Sequence, residues 1–337
     1  MFWKRWVVAG WLLSFVVGCG DSPESERELP GKSLESFELI SEENREALAG
    51  TEILFGSQMR AVEDVPGHAL LLHQVTELSE REAAALADSE AMAIVLPDLE
   101  ELTPEVASQL ARWPTPEGEV SMEPGWQDFG RPGQAGSRML LLGMPTLAPP
   151  AAEKLIPWGR GKSDWRFLGL EGLEELSVET AEVLVGWAAR DPGWRMLHFS
   201  TLPALDPEVA EVLISWGEGV GYARTLFLTG LESLTPALAE VLARWGDSIE
   251  AERRLMLRGL RSLSLEAARH LVEWTPPEGG ERDLMLTGLE SVERETLRLL
   301  VEWERAEPGT RRVGLEGDVL RDAQEMHRTL DRDEQRR

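Results

Sequence analysis

A single cysteine, Cys19, stands in the 337 residues, so no disulfide can form within one molecule and the fold must be held by packing. Lysine is almost missing: four residues stand against thirty arginines. Positive charge as a whole is short. The 34 basic residues face 60 acidic ones for a net charge of −26. That balance argues against a nucleic-acid partner, which needs basic patches, and against lying flat on an anionic bilayer.

The motifs of catalysis are missing as well. The five histidines, His68, His73, His198, His270 and His327, form no H-E-x-x-H, and the chain has no G-x-S-x-G elbow and no Gly-rich phosphate loop ending in Lys and Ser or Thr. His68 and His73 are five apart around "ALLL", so on a strand they face opposite sides and cannot chelate together. Acidic residues with the spacing of a calcium-binding hand are absent. Pairs such as Glu100-Glu101 and Glu174-Glu175 recur with the repeat described below and read as a solvated rim. The expectation is a protein that is not an enzyme, with no cofactor and no metal. No long apolar run exists either: from Trp6 to Val17 there are about twelve residues, short of the roughly 20 that span a bilayer.

What is present begins with that run. Lys4 and Arg5 precede it and Val16-Val17-Gly18-Cys19 ends it. The four residues resemble the lipobox of bacterial lipoproteins. The resemblance implies that residues 1–18 are a signal peptide removed before Cys19, and that the thiol receives a diacylglycerol and the N-terminus an acyl chain such as palmitate. Gly20, in place of an Asp at the second mature position, matches the family pattern for the outer membrane, so the expected address is the bacterial cell envelope with the membrane as partner through lipid. Residues 19–33 contain "GDSPESERELPGKS", charged and without apolar period, and read as a flexible tether.

The body of the chain is repetitive. Trp158, Trp187, Trp216, Trp245, Trp274 and Trp303 fall at an unbroken interval of 29. Around them "LGLEGLEELSVETAEVLVGW", "LHFSTLPALDPEVAEVLISW", "LFLTGLESLTPALAEVLARW", "LMLRGLRSLSLEAARHLVEW" and "LMLTGLESVERETLRLLVEW" share L-x-[LF]-x-x-L-x-x-[LV] and a stretch closing on Trp. Each opens on a short apolar run that reads as a buried strand. A Gly-Leu turn follows, then an N-cap with Pro behind it at Thr103, Asp206 and Thr235. Val209, Val212, Leu213 and Trp216 mark one face of a helix, and Gly159, Gly217 and Gly246 sit where it must stop. Less regular copies start near residues 34, 70, 94, 139 and 313, about ten units in all.

Such units must stack as parallel strands with helices on one side. The expected fold is α/β: a solenoid of about ten strand–turn–helix units with a parallel sheet on one face and helices on the other. It resembles the leucine-rich repeat proteins, particularly their long units, over residues 34–330. It departs from them in the turn, where Gly230-Leu231 or its equivalent stands in place of the usual Asn. The expected divisions are irregular repeats over 34–113, a Pro/Gly-rich loop over 114–137, regular repeats over 138–315, a capping helix over 316–330 through Val319, Ala323, Met326 and Leu330, and a polar tail over 331–337. "TEILF" near residue 51 adds a further candidate strand.

Function is sought on the strands. With Leu226 and Leu228 facing the helices, Phe227 faces away. Counting by the repeat places Leu71, Val95, Leu140, Gly169, His198, Met256, Met285 and Gly314 in the same column, beside a mostly polar one of His73, Pro97, Leu142, Glu171, Ser200, Thr229, Arg258, Thr287 and Glu316. An apolar stripe with a polar border suits a protein partner, and methionine suits one of imperfect shape; if both sheet faces are covered, the same residues are core. The helix-end tryptophans, in phase with the apolar face, read as a buried column of indoles, against a rival reading as a sugar-binding platform. Trp126 and Phe129, in the long loop, are the candidates for contact with glycan or peptidoglycan. The reading favoured is a non-enzymatic protein-binding or scaffold module; the alternatives are a glycan binder and an envelope hydrolase.

Overall fold

The computed structural model describes residues 54–55, 68–72, 75–89, 91, 93–114, 138–159, 166–187, 193–218, 222–246, 250–277 and 280–336. The proposed signal peptide, the tether with Cys19, and the loop residues Trp126 and Phe129 lie outside them. The chain divides into two compact units, Met1–Glu171 and Gly172–Arg337.

In the first unit a two-residue strand β1 (Leu54–Phe55) pairs antiparallel with β2 (His68–Leu71). It lies within "TEILF". From there β2, β3 (Ala93–Leu96), β4 (Arg138–Leu142) and β5 (Arg166–Leu170) run parallel in chain order. Between them come α1 (Glu80–Ala87), α2 (Pro104–Leu110) and α3 (Pro149–Gly159). The second unit opens on α4 (Val178–Leu184) and alternates β6 (Arg195–Phe199), α5 (Pro207–Leu213), β7 (Arg224–Leu228), α6 (Pro236–Leu242), β8 (Arg253–Met256), α7 (Leu265–Leu271), β9 (Arg282–Met285), α8 (Arg294–Ala306), β10 (Arg311–Gly314) and α9 (Gly317–Arg336). Strands β6 to β10 are again parallel neighbours in chain order. The chain is thus a strand–helix repeat solenoid, with parallel sheet on one face and helices on the other, as the repeat predicts.

Local chemistry starts the helices where the sequence places them. Thr103 Oγ1 accepts the Val106 N–H at 3.3 Å and Thr235 Oγ1 that of Leu238 at 3.2 Å. Ser79 adds the reciprocal bond from its own N–H to Glu82 Oε2, 2.9 Å. Asp206 is the N-cap of α5, but its side chain makes no capping bond. At the far end α5 and α6 stop at Leu213 and Leu242, and the turn that follows each passes Trp and closes on Gly217 and Gly246, whose φ of +74° and +76° is a conformation that a Cβ opposes. α9 runs through Arg336, so the residues from 331 that the sequence presents as a polar tail continue the terminal helix.

The turn explains the missing Asn. A Cβ on Gly230 would lie 2.6 Å from Ser200 O, on Gly259 2.3 Å from Thr229 O, and on Gly143 1.9 Å from Pro97 O. At these three turns the chain touches the backbone of the rung before it, and only glycine allows the approach.

The interior carries three repeating columns. Strand and turn leucines such as Leu226, Leu231, Leu255 and Leu260 are at most 1% exposed. The indoles form the second. In the second unit Trp187, Trp216, Trp245, Trp274 and Trp303 stack with ring centroids 6.0 to 6.5 Å apart. Each Nε1–H donates to the carbonyl of the preceding Trp, at 2.8 Å for Trp216, 3.2 Å for Trp245, 2.8 Å for Trp274 and 3.0 Å for Trp303. In the first unit Trp113 and Trp158 stack at 6.0 Å. All of these rings are buried, so the sugar-platform reading of the helix-end tryptophans is overturned.

The third column was not foreseen. The first residue of β6, β7, β8, β9 and β10 is arginine, and Arg195, Arg224, Arg253 and Arg282 are fully buried. The guanidinium of Arg253 lies 5.9 Å from the Trp245 ring centre and that of Arg282 5.7 Å from Trp274. Its nitrogens donate to carbonyls at the ends of neighbouring rungs: Arg253 Nη1 to Tyr222 O at 2.8 Å and Glu252 O at 3.0 Å, and Nη2 to Gly217 O at 2.9 Å. Arg224 and Arg282 repeat the Nη1 pattern on Gly193 O, 3.0 Å, and Ala251 O, 3.1 Å. Arg282 repeats the Nη2 pattern on Gly246 O, so the turns beyond α5 and α6 each direct a carbonyl at a buried cation.

Candidate functional site

The face of the strands opposite the helices is where the rungs differ. Interior columns repeat themselves: Leu197, Leu226, Leu255 and Leu284 are register partners in sequence. On the opposite face the partners of Phe227 are His198, Met256, Met285 and Gly314, and those of Thr225 are Met196, Arg254, Asp283 and Arg312.

The expected column is assembled with one correction. In the first unit Leu140 pairs with Ile94 and Leu168, which puts it in the helix-facing column, while Leu141 pairs with Val95 and Gly169. The cause is a shorter turn: one residue separates Leu142 from the core residue Met144, where two separate Leu170 from Leu173. Counting back from Trp158 therefore lands one residue early. The neighbouring Leu142 moves inward for the same reason, pairing with Leu96 and Leu170. Leu71 takes its expected place in the backbone ladder opposite Val95.

The column is not an exposed stripe. Val95 is 1% exposed, Met256 2%, His198 3% and Phe227 4%, while Met285 and Gly314 are partly accessible. In the first unit Val95 and Leu141 form a cluster with Ala93 against which Met139 and Phe167 pack. In the second, the His198 and Phe227 rings meet edge to face at 5.2 Å, and His198 Nε2 is 2.6 Å from Thr229 Oγ1 in a hydrogen bond.

Beside this stripe sits a charged network that the sequence reading passed over. Arg254 Nε is 2.9 Å from Asp283 Oδ2 and also bonds Glu252, while Arg312 donates from Nε to Asp283 Oδ1 at 2.5 Å and from Nη2 to Asp283 Oδ2 at 2.8 Å. Glu281 reaches Arg312 at 3.4 Å. Trp194 closes the far end: the Arg254 guanidinium lies 4.5 Å from its ring centre, and its Nε1–H donates to Thr225 Oγ1 at 3.0 Å. Burial raises the Glu252 carboxyl above its usual range, Arg254 draws it back down, and the charges of Asp283 and Glu281 push it further up. Arg312 is lowered by burial, but the bond and charge of Asp283, with Glu252 and Glu281, raise it on balance.

Arg254 and Asp283 are buried, and ion pairs at such depth add little stability compared with apolar residues of the same size. The signal for them was the register: residues two before the Phe227 column share its face. Among the described residues no group of three or more His, Cys, Asp and Glu is placed to hold a metal ion, and no described helix is long and apolar enough to cross a membrane. No protein-family model and no curated protein matches the chain.

Proposed function

We propose that the chain is a lipid-anchored protein of the bacterial cell envelope, held at the outer membrane through Cys19, whose leucine-rich-repeat-like solenoid is a non-enzymatic protein-binding or scaffold module. One observation carries the binding half: from rung to rung the interior columns keep one chemical character, arginine from Arg195 to Arg311 and apolar from Leu197 to Val313, while the columns on the opposite face pass through Thr225, Arg254, Asp283 and Arg312 or His198, Phe227, Met256 and Met285. A repeat that only filled space would repeat on both faces. Variation confined to one face is how a constant scaffold addresses a particular partner. The anchoring half rests on the lipobox-like Val16-Val17-Gly18-Cys19 behind a charged and apolar leader.

Two measurements test the halves separately. Metabolic labelling with a clickable palmitate analogue is expected to mark the native chain and not Cys19→Ala; label that persists in the variant removes the anchor. Cross-linking in envelope extracts is expected to yield a protein partner lost in Arg312→Glu, a change at a half-exposed position. Recovery of the same partner by Arg312→Glu, or retention on purified peptidoglycan alone, overturns the binding half.

A further inference from the structure

Interior rungs of the second unit fill the space between sheet and helices with two leucines from the turn after each strand, Leu231 and Leu234 after β7, Leu260 and Leu263 after β8, all buried. The last rung has no such turn. After β10, Leu315 is followed two residues later by Gly317, which opens α9 with φ +60°. α9 closes the stack with Val319 and Ala323, both buried.

What remains is a cavity of about 230 Å³ between α8, β10 and α9, walled by Leu300, Val301, Val313, Leu315, Leu320 and Ala323. Leu320, 38% exposed, stands at its opening. Its polar side is Glu304, Gln324 and His327. Glu304 is fixed at both oxygens: Oε1 accepts the Val313 N–H at 3.0 Å, and Oε2 lies 3.2 Å from His327 Nε2.

We propose that this cavity binds a small neutral molecule with one hydroxyl and an apolar body, a phenol or a medium-chain alcohol of about six to eight carbons. Size sets the body. Dry apolar cavities of about 150 Å³ hold benzene, so this one has room for a substituted ring or a hexyl chain. Chemistry sets the head. With both Glu304 oxygens already engaged, a ligand cation would lose its water without gaining an unshared counter-charge, and an anion would meet the carboxylate. A hydroxyl serves both neighbours, donating to a remaining lone pair of Glu304 and accepting from the Gln324 amide.

The probe is p-cresol, titrated calorimetrically into the full chain, with toluene as the partner lacking the hydroxyl. The expected result is saturable one-site binding by p-cresol, at least threefold weaker binding by toluene, and at least tenfold loss of p-cresol affinity in Ala323→Leu, which fills the space while keeping or raising Tm. Absence of saturable p-cresol binding, or unchanged affinity in Ala323→Leu, overturns the site; equal affinity for toluene overturns the hydroxyl recognition. If Ala323→Leu does not fold, methyl NMR of the native chain decides: shifts centred on Val301, Leu315 and Leu320 support the site, and shifts elsewhere overturn it. None of these outcomes bears on partner binding by the sheet face.

Discussion

Arg253 shows what a single side chain does in this stack. It is fully buried, lies against the Trp245 ring, and divides two nitrogens among three carbonyls of two rungs. A lysine keeps the charge but brings one nitrogen on a flexible stem, so Arg253→Lys leaves carbonyls without donors and is expected to cost about 2–3 kcal/mol in urea unfolding. A loss below about 0.5 kcal/mol would show that charge alone matters, since surface-like changes fall in that range. The same residue predicts a pH dependence. Burial first, then the like charges of Arg224 and Arg282, lower its pKa to about 9. From there up to the ordinary guanidinium value the unfolded chain holds more protons than the folded one, so the pH-linked part of stability from this residue is flat below about 9 and rises with pH above it. Urea midpoints at pH 8 and pH 10.5 are expected to move in favour of the native chain relative to Arg253→Met; movement the other way contradicts the depressed value. The tryptophans of this seam were legible because a large apolar residue at a fixed interval implies a core column. The arginines kept the same interval, from Arg195 to Arg311, but a charged residue at a strand start reads as solvated until its carbonyl partners are seen.

At the scale of the element, the rung that runs from β7 to Trp245 turns twice on glycine, at Gly230 and Gly246, for two different reasons. Gly246 ends its rung with a positive φ, and a Cβ there would also come within 2.9 Å of Arg253 Cγ. Gly246→Ala therefore meets backbone strain and a displaced guanidinium together, and is expected to cost about 1–3 kcal/mol with the far-ultraviolet spectrum unchanged. Gly after an apolar period was legible as the place where the chain reverses, but the helix itself ends four residues earlier, at Leu242. Gly230 was legible only as a turn: what requires it is the carbonyl of Ser200 in the preceding rung, a contact between residues 30 apart that no local pattern contains. The slip at Leu140 has the same origin. Periodicity counted from Trp158 assumes every turn has one length, and the turn at Gly143 is a residue shorter, so a period-2 assignment changes face.

At the scale of the whole molecule, a stack in which rungs meet only their neighbours should express stability as a sum of neighbour contacts. The face opposite the helices follows from the same arrangement: alternation along the strands marked which residues turn from the helices, but a residue with its face known can still be buried, as Phe227 is, with the His198 ring of the preceding rung packed edge to face against it. The indole column allows the neighbour rule to be measured with one substitution at two places. Trp245 stacks on Trp216 and Trp274, both at 6.3 Å, whereas Trp303 stacks only on Trp274, at 6.5 Å. Both donate one Nε1–H bond to the preceding rung and both carry an arginine over the ring. The difference between them is one aromatic pair, worth roughly 0.5–1.5 kcal/mol beyond area. Trp245→Ala is expected to cost about 3–5 kcal/mol, as large core truncations do. Trp303→Ala should cost about 1 kcal/mol less, with the same urea dependence. Equal losses at the two positions would mean that the indoles stabilise their own rungs and not the stack, and a larger loss at Trp303 would make the terminal rung the point from which the array is held.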